Sequence, residues 1–275
     1  NNDKNAPSFI SEAKNNGLEV ITYGDDADLS IKIKSVDTKG QNFSFTIDGQ
    51  AYDIQSPING EFQIYNLALA FLGVKSLGFK SNEIAKVISK LKSPIGRLER
   101  IIANGEYTNI YVDYAHTPDA LEKALITLRK VANNGKLIAL FGCGGNRDKT
   151  KRPKMMRVCL ENADEVIITD DNPRFEEPQD IRKDILSEVE MKNKYTKSFE
   201  IAGKKICDVM HFEVDDKICH EIKGTRSDAI KYGISIMSDD DVLLIAGKGH
   251  EDYQIIKGTK YHFSDQEEVM ECFGN

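Results

Sequence analysis

Apolar and polar residues alternate between residues 19 and 55, in the runs EVITYG, LSIKIKSVD and NFSFTIDGQAYDIQ. A period of two places every second side chain on one face, so these runs predict strands. Asp48-Gly49 lies between two of the alternating halves and predicts a tight hairpin turn within an antiparallel meander. The period then lengthens. From about Phe62, the residues Leu67, Ala70, Phe71 and Val74 recur at helical spacing, and Gly78 closes the segment. A second helix is predicted from Ser81, with Ile84, Val87, Ile88 and Leu91 as its apolar stripe. KSPIGRLER breaks this pattern with Pro94 and Gly96, which predicts a domain boundary and two domains, 1–95 and 96–275.

From Arg100 onward the rhythm is strand, loop, helix, the mark of a mostly parallel sheet covered by helices. NIYVDY leads to a helix entered at Thr117-Pro118 with Leu121, Ala124, Leu125 and Leu128 on one face. KLIALFG leads through a glycine-rich loop to a helix bearing Met156, Cys159, Leu160 and Ala163. EVIIT leads to DDNPRFEEPQD and a helix with Ile181, Ile185 and Val189. DVLLIAG leads to KGHEDY, a hairpin turning at Lys257-Gly258, and a last helix capped at Ser264. Four polar loops, at 113–119, 142–152, 170–177 and 247–253, thus each follow an apolar strand. The carboxyl ends of strands form the binding crevice of an open α/β sheet, so the four loops are expected to share one site.

The chemistry of those loops narrows what they hold. LFGCGGNRDKTKRP looks like a phosphate loop, but Asp148 stands where a Walker motif needs glycine before Lys149-Thr150. A carboxylate there repels a nucleotide phosphate, while Arg147, Lys149, Lys151 and Arg152 still suit an anion. The other loops add Arg174, Asn172, Asp171 and Glu251. Arginine forks hold carboxylates, and a carboxylate paired with an amide suits an ammonium group, so a zwitterion such as an amino acid is the expected ligand. His116 and His250 are candidates for acid-base work, each more simply read as a structural hydrogen-bonder. Cys207, His211, Cys219 and His220 have no standard zinc-finger spacing, so no metal site is expected. Cys143 reads as a small packing residue.

The 275 residues carry a net charge of −7 and are 40% hydrophobic and 29% charged. That balance predicts a globular protein with no basic face for nucleic acid or an anionic membrane. Five cysteines without a CxxC fit a reducing cytoplasm, and the longest apolar stretch, 66–74, is well short of a membrane span.

Five segments together resemble the ATP-dependent Mur ligases, and within them the branch that adds 2,6-diaminopimelate in peptidoglycan synthesis: GRLE (96–99), DYAHTPDAL (113–121), GCGGNRDKTKRP (142–153), DNPR (171–174) and GKGHEDYQ (247–254). The resemblance implies an α/β chain in which part of a central ATPase domain precedes a Rossmann-like C-terminal domain. It also implies that an ATP-activated carboxylate, an acyl phosphate, is attacked by the amino group of the incoming amino acid. Arg147, Asp171, Asn172, Pro173, Arg174, Gly247 and Glu251 match the positions that hold diaminopimelate, and Asn66, Arg97 and Asp113 match positions that touch ATP. The implied partners are meso-diaminopimelate and UDP-N-acetylmuramoyl-L-alanyl-D-glutamate. No catalytic residue is assigned.

The sequence departs from the family pattern in four ways. No GxxxxGK[ST] occurs in it, so the main magnesium ligands and the phosphate loop are expected in a preceding part of a longer enzyme, and this chain alone is expected not to hydrolyse ATP. Gln63 replaces an asparagine of the family's FNxxN pattern, and Thr225 replaces one arginine of a frequent pair, leaving Arg226. Residues 191–220 read as a surface insertion. The competing readings are a lysine-adding homologue, which has less need of Arg174, a folylpolyglutamate synthetase, and a non-catalytic amino-acid-binding remnant.

Overall fold

The computed structural model describes residues 5–37 and 40–274; residues 1–4, where the first expected domain opens, lie outside the described residues. The chain divides into two compact units, Asn1–Ser93 and Pro94–Asn275.

The first unit is a four-stranded sheet with helices. Helix α1 (Ala6–Asn15), which the hydrophobic pattern did not announce, precedes β1 (Tyr23–Gly24), β2 (Leu29–Asp37), β3 (Gly40–Ile47) and β4 (Gln50–Ser56). Strand order is β1-β2-β3-β4, antiparallel except for the parallel β1-β2 pair. EVITYG therefore supplies a two-residue strand, not a long one. Ile47 faces Gln50 across the hairpin, with Asp48 at φ 53 and Gly49 at φ 74, the backbone of a type I′ turn. Helices α2 (Glu61–Ser76) and α3 (Ser81–Ile88) close the core.

The buried face of α2 is Ile64, Leu67, Ala68, Phe71 and Leu72, while Ala70 and Val74 of the expected stripe are exposed. The helix is apolar almost all round, so spacing alone does not choose its inner face; the aromatic wall does. Phe71 packs edge-on to Phe45, with ring centroids 5.7 Å apart, and each fully buried side chain of this size stabilises the fold by roughly 2 kcal/mol. In α3, Ile84 and Ile88 are buried but Val87 and Leu91 are exposed.

The second unit is an eight-stranded sheet ordered β5-β6-β12-β7-β8-β11-β10-β9. Its strands are β5 (Glu99–Ala103), β6 (Glu106–Asp113), β7 (Leu137–Phe141), β8 (Glu165–Ile168), β9 (Lys192–Ile201), β10 (Lys204–Val214), β11 (Lys217–Lys223) and β12 (Val242–Ala246). The five central strands β6, β12, β7, β8 and β11 are parallel. Every residue of β12, β7 and β8 is buried, as expected for strands covered by helices on both faces. The helices are α4 (Pro118–Ala132), α5 (Lys151–Asn162), α6 (Pro178–Ile185), α7 (Arg226–Ser235) and α8 (Asp265–Cys272), with a small hairpin of β13 (Tyr253–Ile256) and β14 (Thr259–His262).

Residues 191–220, expected as a surface insertion, are strand-forming. They form β9, β10 and most of β11, an antiparallel meander that extends the main sheet through the parallel β11-β8 pair. The segment escaped notice because β9 is an edge strand, exposed at nearly every position, so it carries no apolar alternation. Thr225 has a local purpose too. It caps α7, its hydroxyl accepting from Asp228 N–H at 3.2 Å while its own N–H donates to the Asp228 carboxylate at 2.8 Å.

Candidate functional site

Four loops leave the carboxyl ends of β6, β12, β7 and β8, which are neighbours in the sheet, and their backbones interlock. Gly247 N–H donates to the Asp113 carbonyl at 3.0 Å and Gly145 N–H to the Asn172 carbonyl at 2.8 Å. Gln254 Nε2 donates to the Asp171 carbonyl at 2.5 Å. The glycine-rich loop owes its composition to this contact: a Cβ on Gly145 would stand 1.9 Å from the Pro173 carbonyl oxygen. What it cradles is the loop after β8, not a phosphate. The fully buried Arg226 ties the strand ends from beneath. It pairs through Nε and Nη2 with both Asp265 oxygens (2.7 and 2.9 Å) and donates to the carbonyls of Ala246 and Asp170.

The cations of the glycine-rich loop have separate jobs, which corrects the expectation that all four suit an outside anion. Arg152 is fully buried and donates to both Glu176 oxygens at 3.0 Å, to Asp184 at 2.7 Å and to the Gly144 carbonyl at 3.1 Å. These bonds to Arg152 come first among the causes that hold the Glu176 carboxyl down at about 2. Lys149 pairs with the same Glu176 at 3.1 Å, and Lys151 donates to the His116 carbonyl at 2.6 Å. Arg147 is exposed and, among the described residues, outside any ion pair, with one long bond of 3.4 Å to the Asn146 carbonyl.

Three of the expected ligands converge on one point. A Cβ on Gly144 would lie 2.7 Å from Arg174 Nη1, 3.7 Å from Arg147 Cγ and 3.7 Å from Asp171 Oδ2. Arg174 is held there by strain: its φ is 55, a left-handed conformation that costs a non-glycine residue of order 1 kcal/mol or more. Its backbone pairs with both Ile255 and Lys257, and Nη1 donates to the Gly145 carbonyl at 2.9 Å. Among the described residues Nε and Nη2 have no partner, which leaves one edge of the fork for a ligand.

Beside the arginines lies an acceptor cluster built around a lysine to which the sequence pattern gave no role. Lys248 Nζ is fully buried, 3.6 Å from Asp171 Oδ1, 3.7 Å from Glu251 Oε2 and 3.3 Å from Asn172 Oδ1. Burial lowers its pKa, against the pull of Asp171. None of its contacts is short, and Asp171 Oδ1 is buried without a hydrogen bond, so the carboxylate keeps acceptor capacity. Asn172 proves to be a clamp: Nδ2 donates to Glu251 at 2.9 Å and Oδ1 accepts from Ile255 N–H at 2.9 Å. Pro173 supplies the carbonyl that packs on Gly145. Gly247 ends β12 with φ 123, a backbone open to glycine.

The expected nucleotide contacts are differently placed. Asp113 is buried, and its two oxygens accept from the N–H groups of Leu98 at 2.7 Å and Ala115 at 2.8 Å. Burial raises its pKa, opposed by those backbone bonds. It holds the GRLE turn. Arg97 is exposed, its guanidinium 4.8 Å above the Tyr114 ring, which also meets His116 at 4.6 Å and His250 at 4.9 Å. His116 Nδ1 bonds the Tyr114 carbonyl at 2.8 Å. In the first unit Asn66 is exposed, its Nδ2 donating to Gln63 Oε1 at 2.9 Å. Cys143 packs on Met155, and burial pushes its thiol up to about 12. Among the described residues no group of three or more His, Cys, Asp or Glu could hold a metal ion, and no helix is long and apolar enough to cross a membrane.

Residues 96–249 match the family described as Mur ligase, glutamate ligase domain, and residues 1–74 match the Mur ligase middle domain. The chain belongs to the Mur ligase family. It is 42% identical over 274 residues to the UDP-N-acetylmuramoyl-L-alanyl-D-glutamate–2,6-diaminopimelate ligase of Rickettsia rickettsii, covering 99% of this chain and 51% of that protein. A similarly named ligase of Clostridium acetobutylicum is 40% identical, covering 93% and 48%. A solved diaminopimelate ligase of this name superimposes with a TM-score of 0.62 at 33% identity, covering 98% of this chain and 51% of that one. The chain therefore spans about half the length of the curated relatives it matches. Folylpolyglutamate synthase from Thermotoga maritima shares the fold, with a TM-score of 0.61 at 18% identity. The α/β architecture with its parallel-rich sheet is thus a Mur ligase fold.

Proposed function

We propose that the second unit is the amino-acid-binding end of an ATP-dependent Mur ligase, and that it takes meso-diaminopimelate for addition to UDP-N-acetylmuramoyl-L-alanyl-D-glutamate in the cytoplasm. The convergence of Arg147, Arg174 and Asp171 about Gly144 carries this reading. Two planar cations suit two carboxylates and the open acceptors of Asp171 and Glu251 suit an ammonium group, which is the charge pattern of a diamino diacid. The identity to diaminopimelate ligases over nearly the whole chain supports the same choice. The lysine-adding alternative leaves Arg174 without a carboxylate, although its backbone is strained to hold it in place.

In the proposed reaction ATP activates the acceptor's carboxylate, and this chain's residues bind and orient the amine that attacks it. Asp171 and Glu251 accept from the ammonium, and Arg147 and Arg174 fix the carboxylates, so that the attacking amine enters in one orientation. The residues present fit a nucleotide in part: Arg97 over Tyr114 offers a cation and an aromatic face, whereas the oxygens of Asp113 are taken by backbone. ATP and magnesium therefore belong to the proposal, with the principal metal ligands outside this chain. Titration of meso-diaminopimelate into the isotope-labelled chain, followed by amide chemical shifts, tests it. Shifts confined to 142–147, 171–174 and 247–251 are expected; shifts elsewhere, or none in the presence of ATP and acceptor with the full-length enzyme, contradict it.

A further inference from the structure

At the opposite, amino end of the sheet lies a second cluster of titratable groups, in the Cys/His segment that fitted no zinc motif. Glu165 begins β8, and its Oε1 stands 2.6 Å from Nε2 of His220 on β11. Nδ1 of His220 is 3.0 Å from Nδ1 of His211 on β10 and 3.2 Å from the Tyr232 hydroxyl on α7. His220, Glu165 and Tyr232 are buried, whereas His211 is half-buried and lines a cleft of about 660 Å³ between the β9-β10 edge and α7. Lys136 reaches the other Glu165 oxygen at 3.4 Å. Cys219 lies buried beside the relay, its thiol pushed up to about 12 by burial.

The register of β9 against β10 decides what the cleft presents. Tyr195 pairs with His211, Lys197 with Val209 and Phe199 with Cys207, and directly paired residues share a face. Tyr195 stacks on His211 with centroids 4.7 Å apart, and Phe199 meets Tyr232 edge-on at 5.3 Å. Ser198 and Glu200 also line the cleft, but strand alternation turns their side chains to the other face. The charged side chain on the cleft face of β9 is therefore Lys197, which has no ion-pair partner among the described residues. The stretch 192–205 holds five lysines and one glutamate in a chain of net charge −7.

The relay admits two states. Two ring nitrogens 3.0 Å apart share one proton between them. With the pair neutral, His220 donates through Nε2 to Glu165 and its Nδ1 accepts from His211 Nδ1–H or from the Tyr232 hydroxyl; when His211 is the donor, its Nε2 is bare. One proton taken from solvent makes His220 an imidazolium against Glu165. Its Nδ1–H then donates to His211, which is driven to the Nε2–H tautomer and becomes a donor.

We infer that this cleft is a binding site for a small oxyanion on an apolar or aromatic body, a carboxylate or a phosphate monoester, held by Lys197 and His211 with uptake of one proton into the His211–His220 pair. Phe199, Val209, Tyr232 and Ile236 receive the apolar body. Burial, with His220 and Lys197 nearby, lowers the His211 pKa, and an anion in the cleft opposes that shift.

Benzoate and phenyl phosphate, titrated calorimetrically into the whole chain in buffers of different ionisation enthalpy, test the site. The expected result is saturable binding of at least one probe with close to one proton taken up, and a Kd that weakens as pH rises. The tighter probe identifies the oxyanion. Lys197→Ala, on the exposed edge, should weaken binding without lowering the melting temperature. His211→Phe should abolish proton uptake, and Arg174→Ala should change nothing. Absence of saturation by both probes, or saturation without proton uptake and indifferent to Lys197→Ala, overturns the inference.

Discussion

Two of the fully buried cations beneath the proposed amino-acid site, Arg152 and Lys248, are held in opposite ways. Arg152 meets its carboxylates at 2.7 to 3.0 Å through a fork that also takes the Gly144 carbonyl. Lys248 stands 3.6 and 3.7 Å from Asp171 and Glu251, with an Asp171 oxygen that is buried and unbonded. The first arrangement engages both Nη groups at short distance and leaves only the buried Nε without a partner. The second neutralises its carboxylates without saturating them, which is what the proposed capture of an ammonium group requires. Short, multidentate contacts thus mark the Arg152 pair as scaffold, whereas long contacts mark the Lys248 cluster as the proposed binding machinery.

Substitutions should separate the two. Arg152→Met removes the cation from beneath Glu176, Asp184 and Gly144, and a loss of about 3 kcal/mol of stability is expected in chemical denaturation, as for breaking a buried pair. Lys248→Met should cost less, about 1–2 kcal/mol, because its bonds are long. It should reduce amino-acid affinity far more than Arg152→Lys does, by calorimetry at a temperature where both are folded. Equal stability losses from the two buried cations would erase the distinction drawn here.

Acid should expose the saturated pair. The folded-state pKa of Glu176, about 2, lies below its ordinary value of 4.5, so its contribution is fully present above the ordinary value and disappears as pH falls through about 2. Thermal melts should fall over that window, and the fall should be shallower in Arg152→Met. The smallest effect belongs to Lys149→Ala. Lys149 is 63% exposed, and removing its share of Glu176 should cost under about 1 kcal/mol and diminish with salt.

Much of this architecture was legible in residues 96–275. β12 and β7 are apolar throughout and β8 is apolar after Glu165, and the loops after them are the polar segments that an open α/β sheet places at its crevice. Arg147, Asp171 and Arg174 could be named because they sit in those loops. What escaped were features that arise in pairs. Lys248 between two glycines reads as a strand end until Asp171 and Asn172 are brought to it from far along the chain, beside its near neighbour Glu251. Arg152 and Lys149 look like ligands for an outside anion until the loop before α6 delivers Glu176 and α6 itself delivers Asp184. β9 lacks apolar alternation because an edge strand has no buried face to encode.

The central claim is that Arg174, held in a strained backbone, recognises the distal carboxylate of a diamino diacid. Calorimetric titration of meso-diaminopimelate and of L-lysine, into the wild-type protein and Arg174→Ala, tests it most directly. The account predicts binding of meso-diaminopimelate in preference to lysine, and a loss of about 2 kcal/mol in the variant for meso-diaminopimelate alone, the scale of a charge-assisted hydrogen bond. Equal affinity for both amino acids, or an Arg174→Ala variant that binds meso-diaminopimelate as tightly as the wild type, would contradict it.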